Sequence, residues 1–274
     1  MTFEAKTHDT RTRAHPLRAF FQSSTVHRVL LILLLAAIWE GYGRFLSDDL
    51  LFPSLSKTVA ALIQSTESGE LPSRLLKSLT TLAWGYAAGI ALAAVLTTLA
   101  ISTKVGADLL SILTSMFSPL PAVALLPMAI LWFGIGEPAI VFVIMFSVLW
   151  VLVLNAQSGF RGVSPALRMT GYNLSLTGWR HVLFILVPAA FPSILSGLKI
   201  GWAFAWRTLI AAELVFGASS RSGGLGWFIA EHRNELAIDQ VFAGMLVVIL
   251  VGLLVEIGIF RTIEKLTVVR WGMQ

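Results

Sequence analysis

The chain has 274 residues, 56% of them hydrophobic and only 13% charged, with a mean hydropathy of +0.80. A soluble domain is nearer 45–50% apolar and about 25% charged, so these proportions exclude one and indicate an all-α polytopic membrane protein. With no cysteine there are no disulfides or thiolate metal sites, and the five histidines show no ligand spacing.

The first 28 residues carry Arg11, Arg13, Arg18 and Arg28 ahead of an apolar run. This resembles a signal peptide, but Ala36–Gly43 offers no cleavage site, so the run is read as an uncleaved first span behind a cytoplasmic tail. A helical span needs about 20 mostly apolar residues. Six such runs are expected, over 29–46, 75–101, 109–133, 139–155, 189–216 and 241–263.

The net charge of +5 is explained by topology rather than by nucleic acid. With the N-terminus inside, Lys104, Arg161, Arg168, Arg180, Arg261 and Lys265 all fall on the inner side. Acids such as Asp48, Glu67, Glu137 and Glu231 fall on the outer side. Both termini are then cytoplasmic, and residues 29–274 form one transmembrane domain. No internal repeat is visible, and a single unrepeated set of spans makes a pathway most simply as a dimer.

Prolines 119, 121 and 127 fall inside the third run, so that helix is expected to kink, with its freed carbonyls facing protein or a cavity. Gly85 and Gly89 in the second run have the spacing of a close helix contact, here or at a dimer seam.

The inner loop over 160–188 is longer than a turn between spans requires. Ser164-Pro165 suits a helix start, because serine caps free amides and proline fits the first helical position. A helix over about 165–172, a turn over 173–178 and a second short helix over 179–186 are expected. Such a hairpin can dock a partner or merely anchor the loop among lipid headgroups through Trp179 and Arg180.

Charges within the spans are costly, about 2.5–3.5 kcal/mol each at a helix centre. Glu40 and Arg44, four apart, can pair on one helix face. Arg207 and Glu213 are six apart in the fifth run and point about 120° away from each other, so each needs a partner elsewhere. Either Arg207 pairs with Glu256 of the sixth run, or it faces the pathway and favours an anionic solute. Trp202 and Trp206 share a face of the same run and either line that pathway or pack against a neighbour.

Several segments together carry a family resemblance. They are Leu51-Phe52-Pro53-Ser54 followed by Val59, the stretch Ser118–Gly136 (SPLPAVALLPMAILWFGIG), Leu225-Gly226-Trp227, and the tail Thr267–Met273 (TVVRWGM). The inner loop ends in Val187-Pro188 and then Pro192, and resembles the "EAA" loop of permease subunits in binding-protein-dependent ABC importers of the nitrate, sulfonate and taurine class. Counting back from Pro188, the Glu-Ala-Ala positions fall on Met169, Thr170 and Gly171, and the usual turn glycine on Ser175. The loop thus departs from the pattern, and Gly171, about 1 kcal/mol poorer than alanine in a helix, is expected to end the first loop helix early.

The resemblance implies a non-catalytic pathway subunit in a bacterial inner membrane, importing a small anionic solute. It implies a cytoplasmic ATPase docked on Arg168, Met169, Thr170, Gly171, Tyr172, Ser175, Trp179 and Arg180, an extracytoplasmic binding protein, and a second permease copy. The chain lacks a GxxxxGK[ST] phosphate loop, so ATP and magnesium would belong to the partner subunit and no cofactor to this chain. Trp202, Trp206, Arg207, Glu213 and Glu256 are the pathway candidates. The rivals are a self-contained transporter or channel, which would need midplane ion sites, and a membrane-embedded enzyme, which would need a catalytic cluster.

Overall fold

A computed structural model describes residues 24–101, 103–216 and 223–270, so most of the expected 1–28 tail and the end of the Thr267–Met273 segment lie outside it. The described residues are helical, with no strand. Among the described residues five helices are long and apolar enough to cross a membrane, or six if a pair bent at a short break counts as one span.

The first helix, α1 (Ser24–Leu46), is apolar on all sides and only 6% of its span is buried. It is tied down near its C-terminal end. Trp39 Nε1 donates to the Pro53 carbonyl at 3.1 Å, and Glu40 accepts from the Ser56 backbone amide at 2.9 Å. Glu40 thereby supplies an acceptor to the first turn of α2 (Leu55–Glu67), while Arg44 pairs with it at 2.6 Å across one helical turn. Thr58, Ala61 and Ser65 form the buried face of α2, and Ser65 hydrogen-bonds Gln240 on the last long helix.

Three helices make the core: α3 (Glu70–Ile101), α6 (Glu137–Gly162) and α9 (Val187–Phe216). The middle one, α6, is the most buried, and Val143, Ile144, Val148 and Val153 on it are fully enclosed. The Gly85 and Gly89 spacing is used inside the chain. A Cβ at Gly85 would lie 2.6 Å from Ile144, and one at Gly89 would lie 2.7 Å from Val148. In lipid, where tails are as apolar as leucine, this small-residue seam lets backbones approach and supplies the packing that holds α3 on α6.

The third span does more than kink. It divides into α4 (Lys104–Phe117) and a short 3₁₀ turn (Ala122–Leu125) leading into α5 (Leu126–Phe133), bent by 90°. Pro119 and Pro121 sit between the halves, where two missing amides and two rings prevent one helix from continuing. Pro127 falls in the first turn of α5, where its missing amide costs nothing.

The fifth span differs from expectation at its start. Instead of a loop helix ending at Pro188 and a separate span, one helical run covers Gly178–Val215, 38 residues. It comprises α8 (Gly178–His181), a π turn over Val182–Leu186, and α9. A proline ring clashes with the carbonyl four residues back, and the wider π turn just before Pro188 gives it room. At the opposite end of α9 the chain forms α10 (Leu225–Asn234). It then continues into α11 (Ile238–Leu254), a π turn over Val255–Phe260, α12 (Arg261–Glu264) and a last π turn over Lys265–Val269. Neither α2 nor α10 was expected from hydropathy.

Candidate functional site

Two regions hold the residues singled out by the sequence: the loop between α6 and α9, and the polar side chains inside the spans.

The loop helix α7 (Pro165–Asn173) starts as its sequence predicts. Ser164 precedes it, with its carbonyl accepting from the Arg168 amide at 3.2 Å, and Pro165 occupies the first position. It ends in a left-handed turn. The Leu176 amide reaches back to the Gly171 carbonyl at 3.0 Å, and Ser175, where the family pattern has glycine, has φ 54°. Gly171 does not end the helix early. A Cβ there would sit 2.5 Å from the His181 ring and 3.0 Å from Ile185, so the missing side chain is what lets α7 lie against the start of the α8–α9 run.

Arg168 fastens α7 from the other side. Its Nε donates to the Val163 carbonyl at 3.3 Å and its Nη2 to the Phe160 carbonyl, so a cation closes the C-terminal end of α6. Thr170 bonds its own helix, to the Ala166 carbonyl at 3.0 Å. The exposed residues of the loop include four large apolar ones, Leu167, Met169 at 64%, Leu174 and Trp179 at 60%, among polar neighbours such as Thr170 and Asn173. The Arg180 guanidinium lies 5.6 Å from the Trp179 ring. The Tyr172 side chain lies outside the described part of the structure.

Within the spans, Glu213 is buried and fully engaged. Its two oxygens each accept from Ser78 Oγ at 2.8 Å, and the Gly226 amide donates to it at 2.8 Å. Ser78 Oγ in turn accepts from the Leu225 amide at 2.8 Å, so one carboxylate joins α3, α9 and the first turn of α10. Nearby, Lys77 pairs with Glu137, and Thr81 donates to Glu137 at 3.0 Å. Arg74 stacks 3.9 Å over Trp227 and lies 3.6 Å from Glu231. Burial pushes the Glu231 carboxyl up from its ordinary range, with Arg74 pulling the other way. Ser78 and Thr81 drew no attention in the sequence, and Trp227 was noted there only as part of the Leu225-Gly226-Trp227 segment.

Glu256 pairs with Lys199 at 3.2 Å, and not with Arg207. Trp202 and Trp206 stack in parallel at 6.4 Å; Trp206 donates to the Val248 carbonyl at 3.1 Å, and Trp202 meets the edge of Tyr86. Both tryptophans therefore pack between helices.

Arg207 has no carboxylate within ion-pair distance among the described residues. Its Nε donates to the Ala203 carbonyl at 3.1 Å, and its guanidinium lies 5.3 Å from the Phe204 ring. It lines a cavity of about 470 Å³ where the third span breaks, bounded by Pro119, Pro121, Ala122, Trp150 and Thr208. No group of histidines and acids suited to a metal ion occurs among the described residues.

Comparison with known proteins agrees with this architecture. A 28% identical relative over 243 residues, covering 87% of this chain and 90% of its own length, is a Methanocaldococcus jannaschii protein provisionally assigned as an ABC transporter permease. The nitrate import permease protein of Synechocystis is 28% identical over 256 residues, 90% of each chain. The taurine transport system permease protein of Escherichia coli is 33% identical over 152 residues, 56% of this chain and 54% of its own. Residues 85–264, which include the whole loop and the broken third span, match the family described as binding-protein-dependent transport system inner membrane component. The chain belongs to that family, as its resemblance to ABC importer permeases anticipated.

Proposed function

We propose that this chain forms the transmembrane pathway of an ATP-driven importer for a small anionic solute. Residues 29–274 act as one permease domain in a bacterial inner membrane, with both termini cytoplasmic. A second permease copy completes the pathway, a cytoplasmic subunit binds ATP and magnesium, and an extracytoplasmic binding protein delivers the solute.

The observation that carries this reading is the construction of the loop. A short helix with an exposed Met169 and a neighbouring exposed Trp179 is held from beneath by Gly171 and Arg168. A docking element must be apolar outward to bind and rigid inward to transmit movement. Arg168 and Gly171 serve the second need; Met169, Trp179 and Arg180 serve the first, with Thr170 and Ser175 at the edge. Because α8 continues into α9 without a break, a push on Trp179 would be carried along a helix into the span that holds Arg207. The anionic class is supported by the taurine and nitrate relatives and by the uncompensated Arg207.

The test is retention of an ATPase subunit by the tagged chain extracted from its own membranes. Trp179→Ala and Ser175→Glu are expected to release that subunit while the chain stays folded. Retention by both variants would remove the docking assignment and leave the loop as a headgroup anchor.

A further inference from the structure

We propose that the cavity at the broken third span is a membrane-embedded site for an oxyanion, with Arg207 as its binding residue. The inference rests on the importer reading above and adds to it a checkpoint within the permease itself.

A cation in a membrane span is tolerated when it is paired or faces a water-filled space. Lys199 has Glu256, and Lys77 has Glu137. Arg207 has neither an acid nor a hydrogen-bond acceptor for its two terminal nitrogens among the described residues; its one bond uses Nε and its own helix. Those terminal nitrogens belong to the edge that binds a carboxylate or sulfonate side-on.

The surrounding cavity favours the same ligand. Its wall contains no acid. Trp150, 8% exposed, stands in the same wall, and its indole N–H is without a hydrogen-bond partner among the described residues. Thr208 adds a hydroxyl. The wall thus holds a cation, the Thr208 hydroxyl and an unpartnered indole N–H, with no acid to repel an anion.

The chain has no cysteine, so one introduced thiol is unique. Ser118→Cys places it in this wall. In the complex purified from native membranes, the thiol is reacted with two methanethiosulfonates of similar size, one carrying an ethylsulfonate and one an ethyltrimethylammonium group. The measured quantity is the ratio of anionic to cationic labelling rates. Arg207→Gln is expected to lower that ratio about tenfold, the lower end of what a focused field does to association rates. Arg207→Lys should leave it largely in place. Methanesulfonate added before labelling should slow the reaction only when Arg207 or its lysine replacement is present.

A ratio that Arg207→Gln leaves unchanged would overturn the proposal, and would point to a carboxylate of the second copy neutralising Arg207. Failure of Ser118→Cys to react with either reagent would overturn it too, because the cavity would then be closed to water. The readout is a thiol on this chain and needs no ATP hydrolysis. Loss of the importer reading, seen as absence of any ATPase in the preparation, is therefore distinguishable from loss of this site.

Discussion

Arg207 and Glu213 lie six residues apart on α9, yet their surroundings are opposite. Glu213 is enclosed and meets three donor contacts from two other elements. Arg207 faces open space and bonds only its own helix. Both carry a charge that hydrocarbon would penalise, so charge alone does not separate structure from function. The separation comes from what surrounds each group. A buried charge whose partners are all supplied by the chain is a staple, and a charge left uncompensated in a cavity is available to a ligand.

The largest expected effect follows from breaking the staple. Glu213→Ala leaves Ser78 and the Gly226 amide of α10 facing an empty site, and unsatisfied buried donors cost about 1–3 kcal/mol. The detergent-solubilised chain should lose roughly 2–3 kcal/mol on chemical unfolding, within that range and toward its upper end. Arg207→Gln is the matched control. Its unfolding midpoint should stay within about 1 kcal/mol of the parent, as for other exposed charges, while uptake of anions falls. Equal stability losses for the two variants would erase the contrast.

Gly171→Ala tests the loop. Helix propensity alone predicts a gain of about 1 kcal/mol, whereas a Cβ crowding His181 and Ile185 predicts a loss of about 1–3 kcal/mol. A net loss of about 1 kcal/mol, together with weaker ATPase retention, is expected from that balance. Unfolding and co-purification of the same preparation check both parts. The smallest effect should come from Lys199→Gln, whose partner Glu256 is 60% exposed. Partly solvated pairs contribute about 0–1 kcal/mol, so a near-silent stability measurement is expected there.

Much of this was legible in the sequence, and the reasons for the rest are physical. Long apolar runs announce spans because a bilayer sets their length, and the prolines of the third run announced a disruption. Whether they would kink the helix or divide it depended on neighbours that could line the break. The helices α2 and α10 were missed because 13 and 10 residues are too few to register as spans. The Glu213–Ser78 contact joins residues 135 apart, and no local pattern carries it. Gly171 was misread for the opposite reason: local propensity is legible, but the tertiary contact that overrides it is not. Likewise, the Gly85 and Gly89 spacing shows that something packs closely, without showing that α6 of the same chain is what packs there.

The exposed face of α7 and α8 is the proposed docking surface for an ATPase. The most direct measurement is site-specific cross-linking in native membranes. Met169→Cys supplies the chain's sole thiol, a short amine- and thiol-reactive reagent bridges it to its neighbour, and mass spectrometry identifies the adduct. The expected adduct is a P-loop ATPase subunit, lost when Trp179→Ala is added. An adduct with lipid alone, or with a protein from the opposite side of the membrane, would contradict it.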